Sequence, residues 1–86
     1  MAEITIYTTS WCGFCRRAKA LLEKKGAEYR EIDVERTAGA REEMQERSGR
    51  RTVPQIFIDD APIGGCDELY TLDATGKLDA LLSGSA

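Results

Sequence analysis

The chain opens on an alternation: Glu3-Ile4-Thr5-Ile6-Tyr7-Thr8 sets polar against apolar residues, with β-branched and aromatic side chains, and predicts a strand. From Gly13 to about Lys25 the period changes. Phe14, Ala18, Leu21 and Leu22 recur at helical spacing, Lys24 and Lys25 fall in the last turn, and Gly26 is placed to end the helix. A second strand is predicted over Glu28–Val34, with Ile32 and Val34 on one face and Tyr29, Glu31 and Asp33 on the other. A polar helix follows from about Thr37 to Ser48. Its buried stripe is Ala40 and Met44, with Ala38 a further member, and Gly49 ends it. Gln55-Ile56-Phe57-Ile58-Asp59 is nearly continuous in apolar character, as in a central strand covered on both faces. Asp59-Asp60 then turns the chain into a short strand, Ala61-Pro62-Ile63, where Pro62 indicates a sheet edge. After Gly64-Gly65 a last helical region runs from Asp67 to about Leu82, interrupted near Thr75-Gly76.

The predicted order is β-α-β-α-β-β-α. Its β-α-β opening places the first two strands parallel with a right-handed crossover, and the tight third connection makes the last two an antiparallel hairpin. The fold class is therefore α/β, a mixed four-stranded sheet flanked by helices on both faces. The 86 residues form one domain, 1–86, with little sequence to spare for a second function.

Charge and composition remove whole classes of function. The formal net charge is −3, with acidic and basic residues interspersed, so the basic stripe of a nucleic-acid binder is missing. Arg47, Arg50 and Arg51 are offset by Glu42, Glu43 and Glu46 and read as a solvated helix face. No apolar run approaches the ~18–20 residues that cross a bilayer, and Met1-Ala2-Glu3-Ile4 lacks the features of a signal peptide. Three cysteines, two of them three residues apart, make a poor staple for a secreted fold and a better redox pair in a reducing cytoplasm.

That pair, Cys12 and Cys15, lies at the start of a helix that follows a strand. The first helical turn leaves backbone N–H groups without intrahelical partners and adds the positive end of the helix dipole. A sulfur at Cys12 meets those groups and is favoured as a thiolate, the reactive form. Cys15, one turn further in, is less exposed and less favoured as an anion. The asymmetry makes Cys12 the nucleophile and Cys15 the resolving thiol. Trp11 and Phe14 flank the pair, either packing the loop on the sheet or rimming the sulfur with apolar surface. A closed zinc site asks for four ligands, and the chain has no histidine and one further cysteine.

Several stretches together carry a resemblance. They are Ile6-Tyr7-Thr8 before the pair, Arg16-Arg17-Ala18-Lys19-Ala20-Leu21-Leu22 after it, and Arg41-Glu42-Glu43-Met44 further on. Thr52-Val53-Pro54-Gln55-Ile56-Phe57-Ile58 and Gly64-Gly65-Cys66-Asp67-Glu68-Leu69 are the discriminating ones, since a C-x-x-C alone occurs in many redox proteins. Nearly end to end, the chain resembles a class I glutaredoxin of the bacterial type, with a thioredoxin fold. The resemblance implies a cis Val53–Pro54 bond facing the cysteines and a glutathione laid along Val53 in strand-like fashion. It further implies that Phe14, Arg41, Thr52, Val53, Pro54, Gly65, Cys66 and Asp67 contact the tripeptide. Backbone N–H groups at Cys66 and Asp67 would take the γ-glutamyl carboxylate and the Asp67 side chain the ammonium. Arg41 matches the position that meets the glycyl carboxylate, with Arg51 a second cation nearby, although each also reads as a solvent-facing charge. Cys66 reads as a small buried residue without a redox role.

Two departures from the family pattern bear on function. Gly13-Phe14 stands where Pro-Tyr is usual, which removes a fixed φ at the first helical position and restores an N–H. Thr9 stands where many members carry lysine, so one positive charge near the sulfur is missing. The resemblance implies a glutathione-dependent thiol–disulfide oxidoreductase acting on glutathionylated and disulfide-containing proteins as a monomer. The alternative is a [2Fe-2S] cluster bridging two chains, with Cys12 of each as ligand and two glutathiones supplying the remaining sulfurs, which Gly13 leaves open. A redoxin served by a flavoenzyme reductase fits the Gly64-Gly65-Cys66-Asp67 motif less well.

Overall fold

The computed structural model describes residues 2–84; Met1 and residues 85–86 of the expected 1–86 domain lie outside the described residues. Along the chain come β1 (Ile4–Thr8), α1 (Gly13–Lys24), β2 (Arg30–Asp33), α2 (Ala40–Ser48), β3 (Gln55–Ile58), β4 (Ala61–Gly64), α3 (Cys66–Ala74) and α4 (Lys77–Leu82). The four strands form one sheet in the order β2-β1-β3-β4. β1 pairs with β2 in parallel, Thr5 opposite Arg30 and Thr8 opposite Asp33, and antiparallel with β3, Ile4 opposite Ile58. β3 and β4 form the antiparallel hairpin. Its turn residues Asp59 and Asp60 both have positive φ, 50° and 66°, matching the twist that two-residue hairpins require. β4 lies at the edge, as Pro62 indicated. This is the thioredoxin fold.

The strand alternation sorts side chains to two cores. Ile4, Ile6, Ile56 and Ile58 meet Ala18, Leu21 and Leu22 of α1, Cys66 and Leu69 of α3 and Leu78 of α4 on one face. Tyr7, Val34 and Phe57 meet Ala40 and Met44 of α2 on the other. Both central strands are thus covered on both sides, which is why β3 is buried along its whole length.

Several boundaries differ from the sequence expectation. β2 is shorter than 28–34 because its register with β1 begins at Arg30; Val34 still donates to the Thr8 carbonyl at 2.9 Å. α2 begins at Ala40, not Thr37. Gly39 sits in the left-handed region at φ 77°, which a helix cannot run through, and Ala38 is exposed in the turn before it. The last helical region starts one residue early, at Cys66, and breaks at Gly76 as expected. Among the described residues no helix is long and apolar enough to cross a membrane.

Candidate active site

β1 ends at Thr8 and the chain turns through Thr9-Ser10-Trp11 into α1. Ser10 donates to Asp33 Oδ2 at 3.0 Å, which ties this loop to the end of β2. Cys12 is the N-cap of α1, in extended conformation, a position usually held by a side chain that accepts a hydrogen bond from the first turn. Here the acceptor is sulfur. The Cys15 N–H donates to Cys12 Sγ at 3.1 Å, and Cys12 Sγ in turn lies 3.7 Å from the Val53 carbonyl oxygen. The sulfur thus lies at the N-terminal end of the 12-residue helix with one first-turn amide aimed at it.

The two thiols occupy different environments. Cys12 is half-buried and Cys15 is buried. Burial first, then the hydrogen bond with Cys12, pushes the Cys15 thiol up to about 12. Cys66 is also buried, and that burial likewise raises it above the ordinary thiol value. Trp11 is 92% exposed and Phe14 56%, so neither packs on the sheet; they form an apolar rim beside Cys12.

A groove of about 200 Å³ runs from this rim, lined by Phe14, Arg50, Thr52–Gln55 and Gly65–Glu68. One wall is the Thr52-Val53-Pro54 segment, whose Val53–Pro54 bond is cis. Among the described residues no hydrogen bond engages the Val53 N–H, and its carbonyl meets only Cys12. The segment is held from behind by Gln55, 1% exposed, whose amide donates to the Thr52 carbonyl at 3.0 Å and to Thr52 Oγ1 at 3.2 Å.

The opposite wall is the Gly64-Gly65 turn and the start of α3. A Cβ at Gly65 would lie 3.2 Å from the Pro54 carbonyl oxygen, so a residue without one lets the two walls approach. The N–H groups of Cys66 and Asp67 open α3 and have no place in its hydrogen-bond ladder. Asp67 is exposed and has no ion-pair partner among the described residues. Glu68 accepts from the Gly65 N–H at 2.6 Å and pairs with Arg50 at 3.2 Å. The Gly65 bond first, then Arg50, holds its carboxyl below the usual carboxylate range.

Of the contact residues anticipated, Phe14, Thr52, Val53, Pro54, Gly65, Cys66 and Asp67 share this one groove, with Cys12 at its end. Arg41 does not line it. It sits half-buried in the first turn of α2, and Arg51 is exposed outside the lining. The cation in the groove is Arg50, which charge patterning had assigned to a solvated face. Gln55 and Glu68 were the other two lining residues not singled out. Each had a local signal: a polar residue at the head of an apolar strand, and a glutamate three residues after a helix N-cap.

Known proteins show the same architecture. The glutaredoxin family model matches residues 4–63. Glutaredoxin 3 of Escherichia coli K12 is 58% identical over 82 residues, spanning 95% of this chain and 99% of that protein. The chain belongs to the glutaredoxin family. A buckwheat glutaredoxin solved as its complex with glutathione superposes with a TM-score of 0.90 at 30% identity, covering 98% of this chain and 79% of that one. A glutaredoxin solved in work on metal binding superposes at 0.76 with 55% identity, covering 100% and 94%. Thiol–disulfide oxidoreduction that draws on glutathione is the general activity of the family, and Cys12 and Cys15 are both free cysteines in this glutaredoxin.

Proposed function

We propose that this glutaredoxin reduces protein–glutathione mixed disulfides, with Cys12 as the nucleophile. The observation that supports it most directly is the position of Cys12 Sγ, beside the Val53 carbonyl at the end of a groove with an unpaired backbone edge. The glutathione backbone pairs with Val53 as an added strand, and its γ-glutamyl carboxylate meets the Cys66 and Asp67 N–H groups. Asp67 takes the ammonium. Phe14, Thr52, Pro54 and Gly65 shape the walls.

Cys12 thiolate attacks the glutathione sulfur of the mixed disulfide. A Cys12–glutathione disulfide forms, and the protein sulfur leaves and takes up a proton. A second glutathione, as thiolate, attacks the bound glutathione sulfur; glutathione disulfide departs and Cys12 regains its thiolate. On a protein disulfide, Cys12 forms a mixed disulfide with the partner and Cys15 displaces that partner, leaving a Cys12–Cys15 disulfide for two glutathiones to reduce. A pair three residues apart suits exchange in a reducing compartment, so we assign the chain to the cytoplasm. Turnover of a glutathionylated peptide with glutathione and glutathione reductase tests the reading; Cys12→Ser abolishes it, and undiminished turnover in that variant refutes it.

The cluster alternative is favoured by one observation: Cys12 stands half-exposed within an apolar rim of Trp11 and Phe14, open to a second chain. Among the described residues no three ligating side chains converge, so one chain offers a cluster Cys12 alone and the other sulfurs must come from outside it. Anaerobic reconstitution with iron, sulfide and glutathione distinguishes the two. Brown dimeric protein supports the cluster, and colourless monomer removes it.

A further inference from the structure

To resolve a mixed disulfide, Cys15 must act as a nucleophile from a buried position, 1% exposed, where burial pushes its thiol up. The step therefore depends on whatever favours its anion. Cys12 does not: its hydrogen bond and its charge both raise Cys15, and both influences end once Cys12 is tied to a partner sulfur. On the favourable side stand a backbone hydrogen bond from Thr9 and the charge of Lys19.

The fold places that charge. Lys19 follows Cys15 by four positions on α1, so the two share one face of the helix, with Cβ atoms about 5–6 Å apart. Its ammonium is held by Glu31 of β2, Nζ to Oε2 at 2.9 Å, and Thr8 Oγ1 donates to the same oxygen at 2.8 Å. Thr8 is buried at the end of β1, directly before Thr9. A lysine on an open helix face sweeps through solvent; this one is anchored from the sheet, and its side chain is 26% exposed. α3, which packs on α1, adds the buried Cys66 thiol, raised by that burial and therefore neutral at ordinary pH.

We propose that Lys19 is a positioning residue for the resolving step, held by Glu31 so that its cation supports the Cys15 thiolate when Cys12 carries a partner. Cys15 gives up its proton and its sulfur attacks Cys12 Sγ. The Cys12–partner bond breaks, the Cys12–Cys15 bond forms, and the departing sulfur takes up a proton. No outside oxidant or reductant enters. The inference rests on the resolving role of Cys15 and adds the group that supports it.

The test is a stopped-flow single turnover of the reduced full-length protein with a limiting amount of an aryl disulfide that releases a coloured thiolate. Attack by Cys12 releases the first thiolate, and attack by Cys15 on the mixed disulfide releases the second. Lys19→Met slows the second release about two- to fivefold at neutral pH, the scale of a partly exposed ion pair, and moves its pH profile upward. Lys19→Arg restores both, and the first release is unchanged throughout. Glu31→Gln breaks the same ion pair but keeps the cation, so it does not slow the second release as a packing defect would. An unchanged second release in Lys19→Met overturns the proposal, as does an equal slowing of the first release, of Lys19→Arg or of Glu31→Gln. Cys15→Ser separates the two levels. If it abolishes the second release while Lys19→Met has no effect, this inference alone fails; a second release that persists in Cys15→Ser removes the resolving role and the inference together.

Discussion

The Cys15 amide points at the Cys12 sulfur across the first turn of α1, 3.1 Å away, while the Cys15 thiol is buried beneath it. One residue thus supplies a donor to the Cys12 sulfur and withholds its own sulfur from solvent. Iodoacetamide at neutral pH is therefore expected to label Cys12 and spare Cys15 and Cys66, with the latter two reacting only after unfolding. Peptide mapping by mass spectrometry checks this, and early labelling of Cys15 would contradict the burial argument.

The same burial couples Cys15 to alkaline stability. Its thiol is raised in the folded state from 9.0 to about 12, so the unfolded chain gives up this proton first. The contribution is complete below the unfolded value and is lost as pH rises from 9.0 toward 12. Melting temperature is expected to fall across that window, and the fall is expected to be shallower in Cys15→Ser.

Glu68 works in the opposite direction. Its carboxyl is depressed below the ordinary 4.5, chiefly by the Gly65 N–H, so its contribution is present above that value and lost as pH drops below it. Acid titration followed by hydrogen exchange at Gly65 is expected to show the turn loosening below 4.5, and Glu68→Gln is expected to remove the pH dependence at that amide.

Gln55 fixes the wall that carries Val53. Gln55→Leu keeps the bulk and removes both bonds to the exposed Thr52, a loss of about 1 kcal/mol. Denaturant unfolding measures that loss. Because the residue acts on the loop rather than on sulfur, KM for a glutathionylated substrate is expected to rise more than kcat falls.

At Gly65 the effect is steric. A methyl group there meets the Pro54 carbonyl at 3.2 Å and forces the walls apart, so Gly65→Ala is expected to weaken S-methylglutathione binding with little change in melting temperature. Titration calorimetry resolves the two effects.

Much of the fold was legible in local patterns. Ile4, Ile6 and Tyr7 alternate between two cores, and the apolar run through Ile56, Phe57 and Ile58 is what a strand covered on both faces requires. Ala38 and the start of α2 were not legible, because Thr37 and Ala38 fit a helix and only the left-handed backbone at Gly39 ends it. The cysteine pair announced its chemistry through spacing and a helix start. The groove did not. Arg50 and Glu68 lie 18 positions apart and become neighbours only when the β3–β4 hairpin brings both walls together. Trp11 illustrates an open choice that local pattern could not decide, since packing on the sheet and rimming the sulfur fit the sequence equally and the residue is 92% exposed.

The division of labour between the two thiols is tested most directly by turnover of a glutathionylated peptide in matched Cys12→Ser and Cys15→Ser variants, with glutathione and glutathione reductase supplying electrons. Cys12→Ser is expected to be inactive. Cys15→Ser is expected to retain turnover on the mixed disulfide and to lose it on a protein disulfide. If Cys15→Ser were as inactive on the mixed disulfide as Cys12→Ser, Cys12 would not be the sole nucleophile and the unequal roles assigned to the pair would be wrong.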